Sequence, residues 1–434
     1  MNLSSVSNNE PDLLTECPAS QPRKPPSKKR DRVIEATTDG SLFVGADEFC
    51  NSQEVNDIIN LLPICYVGNK KRMLMYIWRF LEEEGVRFDT VFDAFSGSCV
   101  FSFMSLMMGK HVVSNDIMSY PSLLAVSLFG PKKMCPSDSD LLRVMGDEID
   151  PSNNIHVADQ WEGMFFTEKE CKFLNSYRSN MISLYGPSVF AGELTDGRKK
   201  IISLVPGCEA KETDGMRSNS FMLYLILTLL HQLCFTGGRY FRRQLIARLE
   251  YRLDHIRNKG EEIYSKPMDF MWLKEIRQFM NILEAKKEEG GGTHKFVSDD
   301  IMNVLTSGNA PSADLVYLDP PYGGLSSNYV EIYRLFEEYI YGVKPDRVQH
   351  LVDHASRFKK PAGYREQFEE VLDQCDRYES WLISYNERSF ASLEQIYESV
   401  RRFRSRVDIM ETDIKYRYRK GTGKGNEFTI LARQ

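Results

Sequence analysis

Between residues 70 and 116 the chain spells out the opening of a parallel α/β sheet, and no other stretch restricts its fold as much. Apolar residues Met73, Leu74, Ile77, Trp78 and Leu81 recur at helical spacing across residues 70–84, and Gly85 follows where a helix C-cap needs positive φ. Thr90-Val-Phe92 then reads as a short strand entering the turn Asp93-Ala-Phe-Ser-Gly-Ser98. An apolar helix over residues 99–108 closes at Gly109, and His111-Val-Val-Ser114 is a second strand ending in Asn115-Asp116. Helix, strand, glycine turn, helix, strand, acid is how a mostly parallel, Rossmann-like α/β sheet begins, because strand-helix-strand units lay successive strands side by side.

The rhythm breaks after about residue 122 and returns with residues 294–298, 314–318 and 381–384. The intervening stretch is far too long for a simple connection, and its apolar run at residues 221–235 opens a long helical segment. Residues 122–294 are therefore expected to be an inserted, mainly helical subdomain. The α/β domain would then comprise residues 48–121 and 295–434. Residues 1–47 form a tail with the basic cluster Arg23 to Arg30, expected to be disordered. Segments 415–419 and 427–432, flanking the glycine-rich 420–425, read as a terminal hairpin.

The strongest chemical signal is Asp319-Pro320-Pro321-Tyr322, directly after the apolar strand. Two prolines stiffen the backbone and remove two amide donors, so the Asp319 carboxylate and the Pro320 carbonyl can accept from a planar amine while Tyr322 offers a ring for stacking. Ligands in open α/β sheets favour the carboxyl ends of strands, where this turn stands. In the Asp93–Ser98 turn, Gly97 permits close backbone approach to a ligand, but the three glycines of a dinucleotide fingerprint are missing. At the next strand end, Asp116 is placed to take the hydroxyls of a ribose. Tyr66-Val-Gly-Asn-Lys70 adds a glycine turn opening the first helix, whose amides suit an anionic group.

In combination and order, these segments resemble the N6-adenine DNA methyltransferases, the Dam-like D12 class, and most of all its restriction-associated type II subset. Tyr66, Gly68, Asn69 and Lys70 are similar to the family's N-terminal motif, Asp93, Phe95, Gly97 and Ser98 to its D-P-F-x-G-S-G loop, and Asp116 to its ribose-binding acid. Asp300, or in its place Asp299, corresponds to the contact with the cofactor's adenine, and Asp319, Pro320, Pro321 and Tyr322 match the catalytic D-P-P-Y. Asn328-Tyr329, Ile383-Ser-Tyr-Asn386 and Tyr416-Arg-Tyr418 with Glu427 resemble segments of the type II subset. The resemblance implies S-adenosyl-L-methionine as cofactor, double-stranded DNA as substrate, methylation of a flipped-out adenine, and a cognate restriction endonuclease as a candidate partner. It makes residues 48–121 and 295–434 the catalytic domain, the first part binding the cofactor, and residues 122–294 the target-recognition insert. Ala94 stands where proline is usual and Cys99 where a second glycine is usual, a side chain expected to crowd the cofactor.

A net charge of −6 on 434 residues means that phosphate contact must come from local patches. Arg239, Arg242 and Arg243 in the insert are one. Tyr416, Arg417 and Arg419 belong to a second basic region that includes Arg401, Arg402, Arg404 and Arg406. Nine scattered cysteines without a C-x-x-C pair argue against disulfides and zinc and fit a reducing, cytoplasmic setting, and no segment suits a membrane span. His350 and His354 lack the glutamate and third ligand of a zinc site, so no metal is expected. The competing readings are a methyltransferase of RNA or cytosine N4, and a catalytically silent DNA-binding or assembly subunit.

Overall fold

The computed structural model describes residues 70–71, 73–129, 138–146, 156–185, 194–195, 198–199, 281, 285, 291–308, 310–323, 329–342, 358, 361–387, 389–412 and 426–434. All lie within the unit Val44–Gln434. Seven strands, β1 (Thr90–Asp93), β2 (His111–Asn115), β3 (His294–Val297), β4 (Leu315–Leu318), β5 (Ser380–Asn386), β6 (Arg406–Thr412) and β7 (Glu427–Arg433), form one sheet. The spatial order is β3-β2-β1-β4-β5-β7-β6. Strands β3 to β5 are parallel, whereas β7 runs antiparallel between β5 and β6. This is the mixed, mostly parallel α/β sheet expected from the sequence.

Side-chain alternation divides the core in two. Leu315 and Tyr317 of β4 enter one cluster and Val316 and Leu318 the other; β5 separates Leu382 from Trp381 and Ile383 in the same way. The first face is covered by α1 (Leu74–Glu83), α2 (Val100–Met107), α3 (Ser119–Phe129), α5 (Glu168–Tyr185) and α7 (Tyr329–Tyr341), with α4 (Asp138–Met145) packed on α5. The second is covered by α6 (Ile301–Thr306), α8 (Tyr364–Gln374) and α9 (Leu393–Arg401). Every residue of β4 and β5 is buried; β4 accordingly reads as a continuous apolar run, while β5 keeps Ser380, Ser384 and Asn386 among its apolar residues.

Local chemistry fixes the register. Asp314 Oδ2 accepts from the amides of Asp89 and Thr90 and from the Thr90 hydroxyl, each at 2.9 Å, and so locks the start of β1 beside β4. Helix α1 stops at Gly85 (φ +65°), whose amide bonds Glu82 O while that of Val86 bonds Leu81 O, satisfying the last carbonyls. Buried Glu337 of α7 accepts from the amides of Ser119 and Tyr120 at 3.2 and 2.8 Å and caps α3, and burial pushes its carboxyl up to about 7.

Two expectations change. The partner of β7 is the upstream strand β6; the expected hairpin arm 415–419 lies outside the described residues. Alternating charged and apolar residues hide β6 as a surface segment. Arg402 and Arg404 just before it, and its first residue Arg406, are committed to Glu369, Asp376, and Glu84 with Asp408, respectively. The Arg404 guanidinium lies 3.9 Å over the Trp381 ring, so this part of the basic region serves packing. Arg406 pairs in register with Arg433, and Arg433 with Ser380 at the start of β5. That is the sheet edge opposite the carboxyl ends. Residues 1–69 and most of the expected insert, including 200–280, lie outside the described residues.

Candidate active site

The chain leaves β1 for β2 and β3 on one side and returns to β4 on the other, so the connections diverge between β1 and β4. Open α/β sheets form their ligand crevice at such a point, beyond the carboxyl ends. Here the ends carry Asp93 (β1), Asp116 (after β2), Asp299 and Asp300 (after β3) and Asp319 (after β4). Parallel pairing sets Asp93 opposite Ser114 and Tyr317, and Asn115 opposite Val297, so all these acids share one edge.

The cofactor-side turn is stiffly built. Gly97 (φ +46°) donates its amide to Asp116 Oδ2 at 2.9 Å, and Asp116 Oδ1 accepts from the amide of Met118. Burial raises the Asp116 carboxyl to about 6 against these bonds. Asn115 bridges three strand ends, donating to Ala94 O and accepting from the amide of Asp299, both at 3.2 Å. Ala94 donates its own amide to Tyr317 O at 3.0 Å, extending the β1–β4 ladder, a bond that proline could not make. Ser98 is buried, and the Phe95 ring stands edge-on to Phe358 at 6.0 Å. Asp300 is also buried and caps α6 through the amide of Met302, whereas Asp299 takes the Asp300 amide and Asn303 Nδ2.

Cys99 occupies the left-handed region (φ 59°), a conformation that costs an L-residue about 1–2 kcal/mol. The expectation that its side chain crowds a ligand is not met. Cys99 is fully buried, its Sγ 3.7 Å from the carbonyls of Gly97 and Pro121, and it presents no surface to the crevice.

Asp93 is the electrostatic centre of this half. Its Oδ2 accepts from Ser102 at 2.6 Å, Ser102 shares a 2.7 Å bond with Ser114, and Ser114 meets His294 Nε2 at 2.8 Å. Among the described residues, Asp93 Oδ1 is buried without a hydrogen-bond partner. Burial, with smaller contributions from Asp319 and Asp116, raises the carboxyl to about 7 despite the Ser102 bond.

The second half gathers around Lys70. Its ammonium lies 3.3 Å from both Asp319 Oδ1 and Glu427 Oε2, donates to the Tyr322 hydroxyl at 2.5 Å, and sits 4.7 Å from that ring's centroid. The Tyr322 hydroxyl donates to Asp319 Oδ1. Glu427, on β7, accepts from Asn386 Nδ2 of β5 at 2.5 Å. Burial raises the Asp319 carboxyl, and Lys70 opposes the shift. The diproline turn is braced from behind: Tyr322 O accepts from the amide of Phe390 and the hydroxyl of Ser389, at 3.0 and 2.9 Å. Tyr329, opening α7, has its hydroxyl raised by burial, with Asp319, Asp116 and Glu427 adding and Lys70 opposing, so it borders both halves.

Of the residues singled out by sequence, the structure thus gathers Lys70, Asp93, Gly97, Ser98, Asp116, Asp300 and Asp319 through Tyr322 at one sheet edge, with Phe95 in the same turn. Tyr66, Gly68, Asn69, Arg239, Arg242, Arg243, Tyr416, Arg417 and Arg419 lie outside the described residues. Sequence reasoning left Ser102, Ser114 and Asn115 out of the site. Nothing marks the two serines within apolar segments, whereas Asn386 and Glu427 carried a signal in their type II-like motifs.

Residues 66–130 match the family model of the D12 class N6 adenine-specific DNA methyltransferases. A type II methyltransferase, M2.HphI of Haemophilus parahaemolyticus, is 26% identical over 363 residues, covering 83% of this chain and 93% of the relative.

Proposed function

We propose, from its similarity to the D12 class of N6 adenine-specific DNA methyltransferases, that the crevice between β1 and β4 methylates the N6 amine of an adenine rotated out of duplex DNA. The observation that carries this reading is the rigid Asp319–Tyr322 turn beside the Asp93–Ser98 turn, with Asp319 linked to Lys70 and Tyr322.

The residues fit S-adenosyl-L-methionine on a feature of this structure: the buried Asp93 Oδ1, without a partner among the described residues, is an acceptor that an ammonium-bearing ligand would satisfy. Asp93, Phe95, Gly97, Ser98, Asp116 and Asp300 would hold the cofactor, with Tyr66, Gly68, Asn69 and Lys70 toward its methionine end. When bound, the cofactor supplies an electrophilic methyl group on a sulfonium.

The chain's own residues do the rest. Asp319 and the Pro320 carbonyl accept the two amine hydrogens, which turns the nitrogen lone pair toward the methyl group. Tyr322 stacks on the base. As the N–C bond would form and the methyl group's bond to the sulfonium would break, its electron pair staying on sulfur, positive charge would develop on the nitrogen beside Asp319, which would take the proton the nitrogen sheds. Each charge-assisted hydrogen bond contributes about 1.5–3 kcal/mol, and alignment supplies more, so no strong base is required. The duplex would lie along Arg239, Arg242, Arg243, Tyr416, Arg417 and Arg419, and the type II relative favours a site-specific enzyme paired with an endonuclease.

Single-molecule sequencing of DNA from a host lacking N6-methyladenine, with and without the gene, tests the reading. N6-methyladenine is expected at one short sequence only with the gene. Unmodified adenines, or marks on cytosine, would overturn it.

A further inference from the structure

Two carboxylates, one buried and one partly buried, share one ammonium in this site, and only the latter belongs to the diproline turn. Lys70 and Glu427 side chains are 3% and 4% exposed, against 18% for Asp319, so Asp319 faces an incoming base and Glu427 lies behind the cation. Glu427 is anchored from its far side by Asn386 at 2.5 Å. We propose that Glu427 is a positioning residue for methyl transfer: seated on Asn386, it holds the Lys70 ammonium midway between two carboxylates, so that Asp319 is oriented without being neutralised.

The physical argument is charge balance. A single Lys70–Asp319 pair would spend the carboxylate on the ammonium and weaken it as an acceptor. With Glu427 drawing on the same cation, the ionised cluster carries one cation against two anions. The surplus negative charge faces the nitrogen on which positive charge develops. Burial makes this matter, since the cluster lies where solvent screens little. Among the described residues, the other groups facing it are the phenols of Tyr317 and Tyr322 from β4 and its turn, of Tyr329 from α7 and of Tyr364 from α8, with Asp93 and Asp116 on the neighbouring strand ends. Burial holds all four phenols well above their ordinary range, so none of them competes for the ammonium as an anion. In the same sense, Glu427 raises the Asp319 carboxyl, and Lys70 lowers it.

The inference rests on the reading of Asp319 as the residue that receives the amine. It is tested on the full-length protein with duplex DNA and S-adenosyl-L-methionine, by measuring kcat against pH for wild type, Glu427→Gln and Glu427→Asp. Glu427→Gln is expected to lower the plateau about 10- to 100-fold while cofactor affinity, by calorimetry, stays within about threefold. Its acid limb should move to lower pH by about one unit, because Asp319 loses an anionic neighbour. Glu427→Asp should return the limb to the wild-type position with a reduced plateau. If Glu427→Gln does not fold, the limb of Glu427→Asp decides alone: unmoved supports the proposal, displaced overturns it. A lower plateau with an unmoved limb in Glu427→Gln, or no change in rate, overturns it while the wild-type activity still stands. A wild type that forms no N6-methyladenine removes the underlying reading and the inference together.

Discussion

Asp93→Asn isolates the energetic tension on the cofactor side. The Asp93 carboxyl is raised from 3.8 to about 7, chiefly by burial, and one of its oxygens has no donor. A raised acid favours folding in its protonated form: that stability is fully present below the unfolded value and is lost as pH rises through about 7. At 1.36 kcal/mol per unit, the full span amounts to about 4 kcal/mol, of which about 3 falls between pH 5 and pH 8. Asparagine cannot ionise and escapes this cost, though its amide leaves an unpaired donor worth about 1–3 kcal/mol at any pH. The difference between variant and wild type should therefore swing toward the variant by about 3 kcal/mol from pH 5 to pH 8. With an unfolding entropy of about 2.1 cal/mol/K per residue, that is a relative Tm gain of about 3 °C. Differential scanning fluorimetry of the ligand-free proteins reads it. S-adenosyl-L-methionine should bind wild type up to about tenfold tighter per unit as pH rises toward 7, and Asp93→Asn weakly with little pH dependence. A Tm difference that is the same at pH 5 and pH 8 would refute the reasoning.

Other perturbations follow from the same geometry. Gly323→Ala places a Cβ at φ +90° and 1.9 Å from the Phe390 ring, so kcat should fall at least about tenfold, and Phe390→Ala in the same chain should recover part of it in a methyl-transfer assay. Cys99→Gly trades relief of about 1–2 kcal/mol of left-handed strain for a similar loss of chain rigidity and Sγ packing. Chemical denaturation should find it within about 1 kcal/mol of wild type, with cofactor affinity unchanged. Trp381→Ala removes a fully buried ring that carries Arg404, and should cost about 3–5 kcal/mol in the same experiment.

The catalytic half of the fold was legible because its signals are local. Apolar spacing at Leu74, Ile77, Trp78 and Leu81 with Gly85 marks α1, and residues 111–116 announce a strand ending in an acid. Parallel order then brings Asp93, Asp116 and Asp319 to one edge without further information. What escaped is non-local. Strand β6 carries alternating charge because it is an edge strand, and its Arg406 finds a partner as distant in sequence as Glu84. Cys99 looked obstructive because substitution for glycine suggests a steric wall, whereas the left-handed backbone turns the thiol inward. The serine bridge from Asp93 to His294 joins four elements, β1, α2, β2 and β3, through side chains that sequence cannot pair.

The most direct test of the central claim is transfer of an isotopically labelled methyl group from S-adenosyl-L-methionine to duplex DNA, read by mass spectrometry of the nucleosides for wild type and Asp319→Ala. The account predicts label on N6-methyldeoxyadenosine with wild type, and at least a 100- to 1,000-fold slower transfer by Asp319→Ala, which still binds the cofactor within about threefold. Label on cytosine, or an Asp319→Ala protein that methylates adenine at the wild-type rate, would contradict it.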